Sequence, residues 1–232
     1  MKILIVSATP FEIAPLQNYL IENFQTEDQL KFQKDKLEVH LLITGVGLVL
    51  TGIHLTKKLL KEDYQLVINA GIAGSFDENV PIGTVVQVIE DRFADLGVEE
   101  ANGSFTDVHE MGLIEANVPP FKNGVLSDPD GGGFGFLRSV KGISINKVHG
   151  HVLSIARIQK KYPEAQIETM EGAAFFYVCL TEKKPFLAVR AISNKVESRN
   201  RENWDIALAI ESLNKVLLQM IEGFAESSEK RE

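Results

Sequence analysis

Cysteine is almost absent from this chain: Cys179 is the only one in 232 residues. A single thiol excludes an internal disulfide framework and a thiolate metal cluster, and its place in an apolar helical run assigns it to core packing. Reducing, cytoplasmic surroundings are expected. An excess of positive charge is also missing, with 24 Lys and Arg against 32 Asp and Glu, a net charge of -8 and a pI near 5.3. That balance disfavours a general nucleic-acid binder or a binder of anionic membranes, so the expected partner is a small molecule. No stretch reaches the roughly 18 apolar residues of a membrane span. The run Lys2 to Val6 is too short for a signal-peptide core, and Pro10, Glu12 and Pro15 follow it closely. His109, His149 and His151 lack metal-ligand spacing, and no metal or other cofactor is expected. Internal repeats and low-complexity segments are missing as well.

What is present suits a core. With 44% apolar and 24% charged residues, the chain reads as one domain over 1–232, its charged end at 226–232 expected to fray. Ile3 to Val6 reads as a buried strand, followed by a turn at 7–10 and a helix to about Phe24. Glu38 to Thr44 is a strand leading through Gly45-Val-Gly47 to a helix over 48–61, with apolar positions 48, 49, 52, 55, 59 and 60. Leu66 to Asn69 is a strand leading to a glycine loop, Ala70 to Gly74. Further strands are expected over 84–90, 142–148 and 186–192, and helices over 152–161, from about Glu171 to Thr181, and over 204–224. The stretch from Asp91 to Gly142, with Pro119-Pro120 and Gly131-Gly-Gly133, reads as loops and edge structure. The fold class is α/β: a mixed, largely parallel central sheet flanked by helices, with binding loops at the strands' C-terminal edge.

Neither glycine loop is a nucleotide fingerprint. Gly45-Val-Gly47 lacks the third glycine, and Gly71-Ile-Ala-Gly74 lacks the middle glycine and a following Lys-Ser/Thr. Each either forms a tight turn or lines a ligand site, the second through Ala73 and Gly74. The most informative runs come later. Glu168-Thr-Met-Glu-Gly-Ala-Ala174 places Glu171 at a helix start, where a carboxylate is favoured and can accept two ribose hydroxyl hydrogen bonds. Val189-Arg-Ala-Ile-Ser-Asn194 supplies an amide fit to read a purine. Together they point to cleavage of a purine N-glycosidic bond.

Five segments appear in one order: Met1 to Glu12, Thr44 to Gly47, Asn69 to Gly74, Met170-Glu171 and Arg190 to Asn194. In that order the chain resembles the purine nucleoside phosphorylase/nucleosidase superfamily over nearly its whole length. It is most similar to the hydrolytic branch, the methylthioadenosine/S-adenosylhomocysteine nucleosidases and the futalosine hydrolases. The resemblance implies the nucleoside phosphorylase-like fold, a purine nucleoside and water as reactants, and a homodimer or larger homo-oligomer. It also implies that Glu12 activates water, Arg190 organises the water and Glu12, Glu171 binds ribose, and Met170 packs on the sugar. Val148 would meet the base through its backbone at a strand end, and Trp204 would line the 5' pocket, with Phe11, Phe105, Arg199 and Arg201 as further candidates. Glu168 and Thr169 depart from the family's acidic residue before the methionine and receive no role. Ile72 stands where nucleosidases carry a serine.

Asn194 departs from the aspartate of the adenine-cleaving members. A carboxamide cannot deliver a proton as an acid, but its NH2 can donate to a 6-oxo group while its carbonyl accepts from a protonated ring nitrogen. Hypoxanthine therefore fits better than adenine, because unpaired buried polar atoms cost about 1–3 kcal/mol each. The expected reaction is hydrolysis of futalosine to hypoxanthine and dehypoxanthine futalosine in menaquinone biosynthesis. A methylthioadenosine/S-adenosylhomocysteine nucleosidase, a phosphate-dependent 6-oxopurine nucleoside phosphorylase and a non-catalytic nucleoside binder remain as alternatives. The segment from Ser7 to Leu20 holds no Lys, Arg or His, which suits water better than phosphate as nucleophile.

Overall fold

The computed structural model describes residues 1–129 and 135–229. The first half of the chain forms β1 (Lys2–Ser7), a 3-10 turn (Pro10–Ile13), α1 (Ala14–Asn23), β2 (Gln25–Asp28), β3 (Lys31–Lys34), β4 (Leu37–Ile43), α2 (Leu48–Leu59) and β5 (Leu66–Ser75). Then come β6 (Val85–Asp91), β7 (Gly97–Glu99), β8 (Phe105–Asp107), β9 (Leu126–Ser127) and β10 (Arg138–Ser144). The last third holds α3 (Val152–Lys161), β11 (Ile167–Thr169), α4 (Gly172–Thr181), β12 (Phe186–Lys195) and α5 (Ile206–Glu229).

β1 pairs in parallel with β4 on one side and β5 on the other. Its residues alternate between two cores: Leu4 and Val6 pack with Leu55 of α2 and Phe175 of α4, whereas Ile3 and Ile5 pack with Leu16 of α1 and Leu213 of α5. A strand covered by helices on both faces has no polar side to show, which is why the run at 3–6 is continuously apolar. The ten-stranded sheet has the order β11-β10-β6-β12-β5-β1-β4-β3-β2, with β9 on β6. β11 also pairs antiparallel with β5, so β5, β12, β6, β10 and β11 close on one another. The mixed central sheet flanked by helices is thus observed.

Several expected boundaries move. The segment 70–74 is not a loop: β5 runs on to Ser75 because β12 pairs with it as far as Lys195, and small residues let other groups approach. For the same reason Asn194 lies within β12, after a register shift at Ile192/Asn194, rather than in a loop beyond it. The strand expected at 142–148 lies at Arg138–Ser144, since its partner β6 extends to Asp91 and a bulge at Val140/Lys141 absorbs the offset. The loop region after Asp91 contains the β7–β8 hairpin and β9, whose side chains are too polar or too few to announce strands. Residues 131–133 lie outside the described residues. Glu168 and Thr169 form β11 with Ile167, a strand that was not expected. Trp204 precedes α5, which continues through 226–229, where a frayed end was expected; 230–232 lie outside the described residues. Of the apolar positions expected to face inward on α2, Leu55 and Leu59 do, but Val49 and Leu60 are exposed.

Candidate active site

The C-terminal ends of β1, β5, β11 and β12 converge, as expected for a ligand site in an α/β sheet. After β1 the chain turns into the Pro10–Ile13 3-10 turn, and Glu12 at its third position reaches back. Glu12 Oε2 accepts from Thr9 N (2.9 Å), Thr9 Oγ1 (3.0 Å) and Ser7 Oγ (3.1 Å). Oε1 accepts from Ile72 N at 3.2 Å. At 9% exposure Glu12 is not a solvated first-turn glutamate; its oxygens are fixed in place.

Arg190, in the middle of β12, is 1% exposed. Its Nη1 donates to the carbonyls of Asn69 (3.0 Å) and Val189 (2.9 Å), and its Nη2 donates to Asn69 Oδ1. Nε is buried with no hydrogen-bond partner among the described residues. A Cβ on Gly71 would stand 2.9 Å from Glu12 Oε1 and 3.8 Å from Arg190 Nε, so an acceptor and an unpaired donor meet over a residue with no side chain. That pair can hold one water by both hydrogen-bonding roles. Burial lowers the Arg190 pKa, opposed by the charges of Glu171, Glu12 and Asp91.

Glu171 stands at the start of α4, as the sequence expects, and instead of capping that helix its Oε1 accepts the N–H of Gly47 at 2.9 Å. Gly47 can aim that N–H because its φ is +102°, a region that side chains resist. Burial raises the Glu171 pKa, while the Gly47 bond and the Arg190 charge work against the shift. Met170 beside it is half-buried. The start of α4 is held from below: Ala173 N donates to Ser144 Oγ (2.7 Å), Gly172 N to Thr169 Oγ1 (3.2 Å), and Ser144 Oγ to Asp91 Oδ1 (2.9 Å). Asp91 is fully buried, and desolvation pushes its pKa up to about 7.

Asn194 stands across Gly74 in the β5–β12 register. Its Nδ2 donates to the Lys195 carbonyl at 2.9 Å and its Oδ1 accepts from Ser193 Oγ at 2.9 Å. A carbonyl only accepts, so the amide cannot be turned over without losing that bond. One N–H and one lone pair are left for a ligand. Ala73 turns its side chain into the core and gives its carbonyl to Ser193 Oγ at 3.3 Å, while a Cβ on Gly74 would stand 2.8 Å from Val196 Cγ2 and 3.2 Å from Asn194 Nδ2. On the other side of Gly74 lies Glu168, and its carboxylate accepts from His149 N (3.1 Å) and from His149 Nδ1 (2.7 Å). This Glu168–His149 pair was missed in the sequence, where the two lie 19 residues apart and Glu168 matches no expected position.

Val148 is not at a strand end. β10 stops at Ser144, and Val148 is partly buried against the cluster that includes Ile143, Ile145 and Tyr162. Trp204 follows the short turn after β12; Arg199 lies 5.2 Å over its ring, and Arg199 N donates to the Gly150 carbonyl. The backbone of Asp205 donates to Ser193 O, which brings this loop beside Asn194. Phe105 instead packs under Lys161 in the β7–β8 hairpin, Phe11 is exposed, and Arg201 is exposed. Among the described residues no cluster of three or more His, Cys, Asp or Glu could hold a metal, and no helix is long and apolar enough to cross a membrane.

The profile of the Phosphorylase superfamily matches residues 2–121. The chain belongs to that superfamily. It is 28% identical over 237 residues to a 5'-methylthioadenosine/S-adenosylhomocysteine nucleosidase of Glaesserella parasuis, covering 97% of this chain and 100% of the relative. It is 32% identical over 150 residues to a futalosine hydrolase of Streptomyces coelicolor, covering 65% of this chain and 62% of the relative. The fold matches a 5'-methylthioadenosine/S-adenosylhomocysteine nucleosidase of Neisseria meningitidis crystallised with methylthio-immucillin-A, with TM-score 0.75, 19% identity and coverage of 96% and 99%. Within the phosphorylase superfamily this chain is an N-glycosyl hydrolase of the purine nucleosidase type.

Proposed function

We propose that the protein hydrolyses the N-glycosidic bond of a 6-oxopurine nucleoside, with futalosine as substrate and hypoxanthine and dehypoxanthine futalosine as products, in a route to menaquinone. The observation that carries the reading is the anchored amide of Asn194. The base leaves as an anion that takes a proton from bulk water at a ring nitrogen, and that N–H then donates to Oδ1; Nδ2 faces position 6 and requires an acceptor there. A 6-oxo group is one, and a 6-amino group is not.

Glu12 and Arg190 Nε hold the water over Gly71. As the C1'–N9 bond breaks and the ribosyl group gains positive charge, Glu12 takes the water proton and the hydroxyl adds at C1'. Glu171 accepts from ribose hydroxyls with the lone pairs that Gly47 leaves free, and Met170 packs on the sugar. Trp204 with Arg199 suits a 5' arm that carries an aryl group and a carboxylate. The Streptomyces coelicolor relative supports this substrate. The Glaesserella parasuis relative supports the second reading, methylthioadenosine or S-adenosylhomocysteine, which requires Asn194 to serve without an acidic proton.

The protein acts as a homodimer or larger homo-oligomer; Val46, Val49, Leu50 and Ile53 form an exposed apolar patch on and before α2, next to the Gly47 loop. The test of function is base release from futalosine, methylthioadenosine and inosine, with and without phosphate. Phosphate-independent hypoxanthine from futalosine supports the reading, and adenine as the faster product overturns it.

A further inference from the structure

Glu171 opens α4 without capping it. A side chain in that position normally accepts from the second or third N–H of its own helix, yet Glu171 makes no such bond. Its carbonyl accepts the first helical bond, from Phe175 N at 3.0 Å, and the first two N–H groups of the helix are met from the strands below. Gly172 N donates to Thr169 Oγ1 at the end of β11, and Ala173 N donates to Ser144 Oγ at the end of β10. The two hydroxyls stand 3.1 Å apart, and Ser144 gives its hydrogen to Asp91 Oδ1 at the end of β6. A hydroxyl has one hydrogen and two lone pairs, so Thr169 must donate to Ser144, which is then saturated. Every hydrogen bond in the chain therefore runs toward Asp91.

Asp91 ends that chain as an acceptor that cannot be reversed. Its Oδ1 also takes the N–H of Arg92 at 2.7 Å, and a backbone N–H only donates. Oδ2 is buried with no hydrogen-bond partner among the described residues, so a proton carried there leaves Oδ1 an acceptor. The same oxygen lies against the helix: a Cβ on Gly172 would stand 2.0 Å from it and 2.9 Å from Thr169 Oγ1. The start of α4 thus rests on Asp91, and Glu171 is the adjoining residue. Resting on Glu171 as the ribose-binding carboxylate, we propose that Asp91 is a positioning residue for it, acting through Ser144 and Thr169. The relay supplies the acceptors that α4 needs at its start and leaves the Glu171 carboxylate to Gly47 and to the sugar hydroxyls. Without it, Glu171 turns inward to cap its own helix and its contact with the sugar is lost.

The test is the ratio of kcat/KM for a ribonucleoside to that for its 2'-deoxy form, read as base release from futalosine, 5'-methylthioadenosine and the 2'-deoxy form of each. An unfolded fraction lowers both rates equally, and the intrinsic lability of each sugar's bond is common to all variants. A change in the ratio therefore reports the contact of Glu171 with the 2'-hydroxyl, which a merely structural role for Asp91 would not move. In Glu171→Gln the Gly47 N–H claims the amide oxygen and the NH2 facing the sugar cannot accept, so the ratio falls about 10- to 100-fold. Ser144→Ala and Asp91→Ala lower it about 3- to 30-fold, as expected of a displaced rather than a missing contact. Asp91→Asn keeps an oxygen for Ser144 and Arg92 and holds the ratio within about twofold of wild type. Thr169→Val, nearly isosteric, lowers the ratio in the same direction and serves if Ser144→Ala does not fold. A ratio in Asp91→Asn as low as in Asp91→Ala overturns the proposal. If Glu171→Gln lowers the ratio while Ser144→Ala and Thr169→Val leave it at the wild-type value, only the role of Asp91 falls. If Glu171→Gln leaves it unchanged, or the wild type releases base from neither nucleoside, the reading of Glu171 falls and the proposal with it.

Discussion

Glu171 accepts the N–H of Gly47 at 2.9 Å, a bond that joins the start of α4 to the start of α2 across 124 residues of sequence. It fixes one carboxylate oxygen with a backbone donor. The bond depends on a backbone angle of +102° at Gly47. A Cβ added there meets nothing within 4 Å, so Gly47→Ala is penalised by backbone conformation alone. The expected cost is about 1–3 kcal/mol, with a raised KM if Glu171 swings away from the sugar. Thermal unfolding and steady-state kinetics check both.

Glu12 receives donors from Ser7, Thr9 and Ile72. In Glu12→Gln the amide NH2 must face one of those donors, which costs about 1–3 kcal/mol of stability. Turnover should fall about 10²- to 10⁴-fold, the range for loss of a general base, while nucleoside binding persists. Denaturant unfolding, calorimetric binding and single-turnover rates on one preparation separate these effects. Retained turnover would remove Glu12 from the reaction.

How legible was this site beforehand? Glu12, Glu171 and Arg190 lie at the turn, the helix start and the strand where the residue pattern placed them, because an apolar run or a cap marks each element. Glu168 and His149 were illegible, since their pairing depends on β11, three residues long, lying against both β10 and β5. No periodicity of three residues announces such a strand. The 70–74 segment looked like a loop because small residues usually mark turns, whereas here they make room for Glu12 and Asn194. Val148 was misplaced because β10 begins earlier than its β-branched residues suggest.

Asp91 gives a pH signature. Its folded pKa, about 7, lies above an unfolded value near 3.8, so the folded state holds the extra proton between those limits. Its contribution is therefore fully present below about pH 4 and is lost as pH rises to about 7, on the order of 4 kcal/mol in all. Asp91→Asn should flatten that fall relative to wild type, read from urea midpoints between pH 4.5 and 7.5. Parallel curves for the two proteins would show that Asp91 does not titrate there.

Gly172 opens α4 directly against Asp91. A Cβ at this position would lie 2.0 Å from Asp91 Oδ2, a buried atom that cannot retreat without releasing Ser144. Gly172→Ala should destabilise by about 1–3 kcal/mol, the usual cost of overpacking, and lower turnover by shifting Glu171. Melting temperature and kcat report the two consequences.

The exposed apolar residues beside Gly47 bear on assembly. Val49 is 68% exposed, and Val49→Glu with Ile53→Glu should convert an oligomer to monomer in light scattering at micromolar concentration. An unchanged mass for the double variant would place any subunit contact elsewhere.

The most direct test of 6-oxopurine selectivity is a competition. Equimolar futalosine and methylthioadenosine are incubated with the protein in phosphate-free buffer, and the initial rates of hypoxanthine and adenine release are compared. The expected result is hypoxanthine in at least tenfold excess, with the excess reduced or reversed in Asn194→Asp. Adenine released faster than hypoxanthine by the wild type would contradict the account.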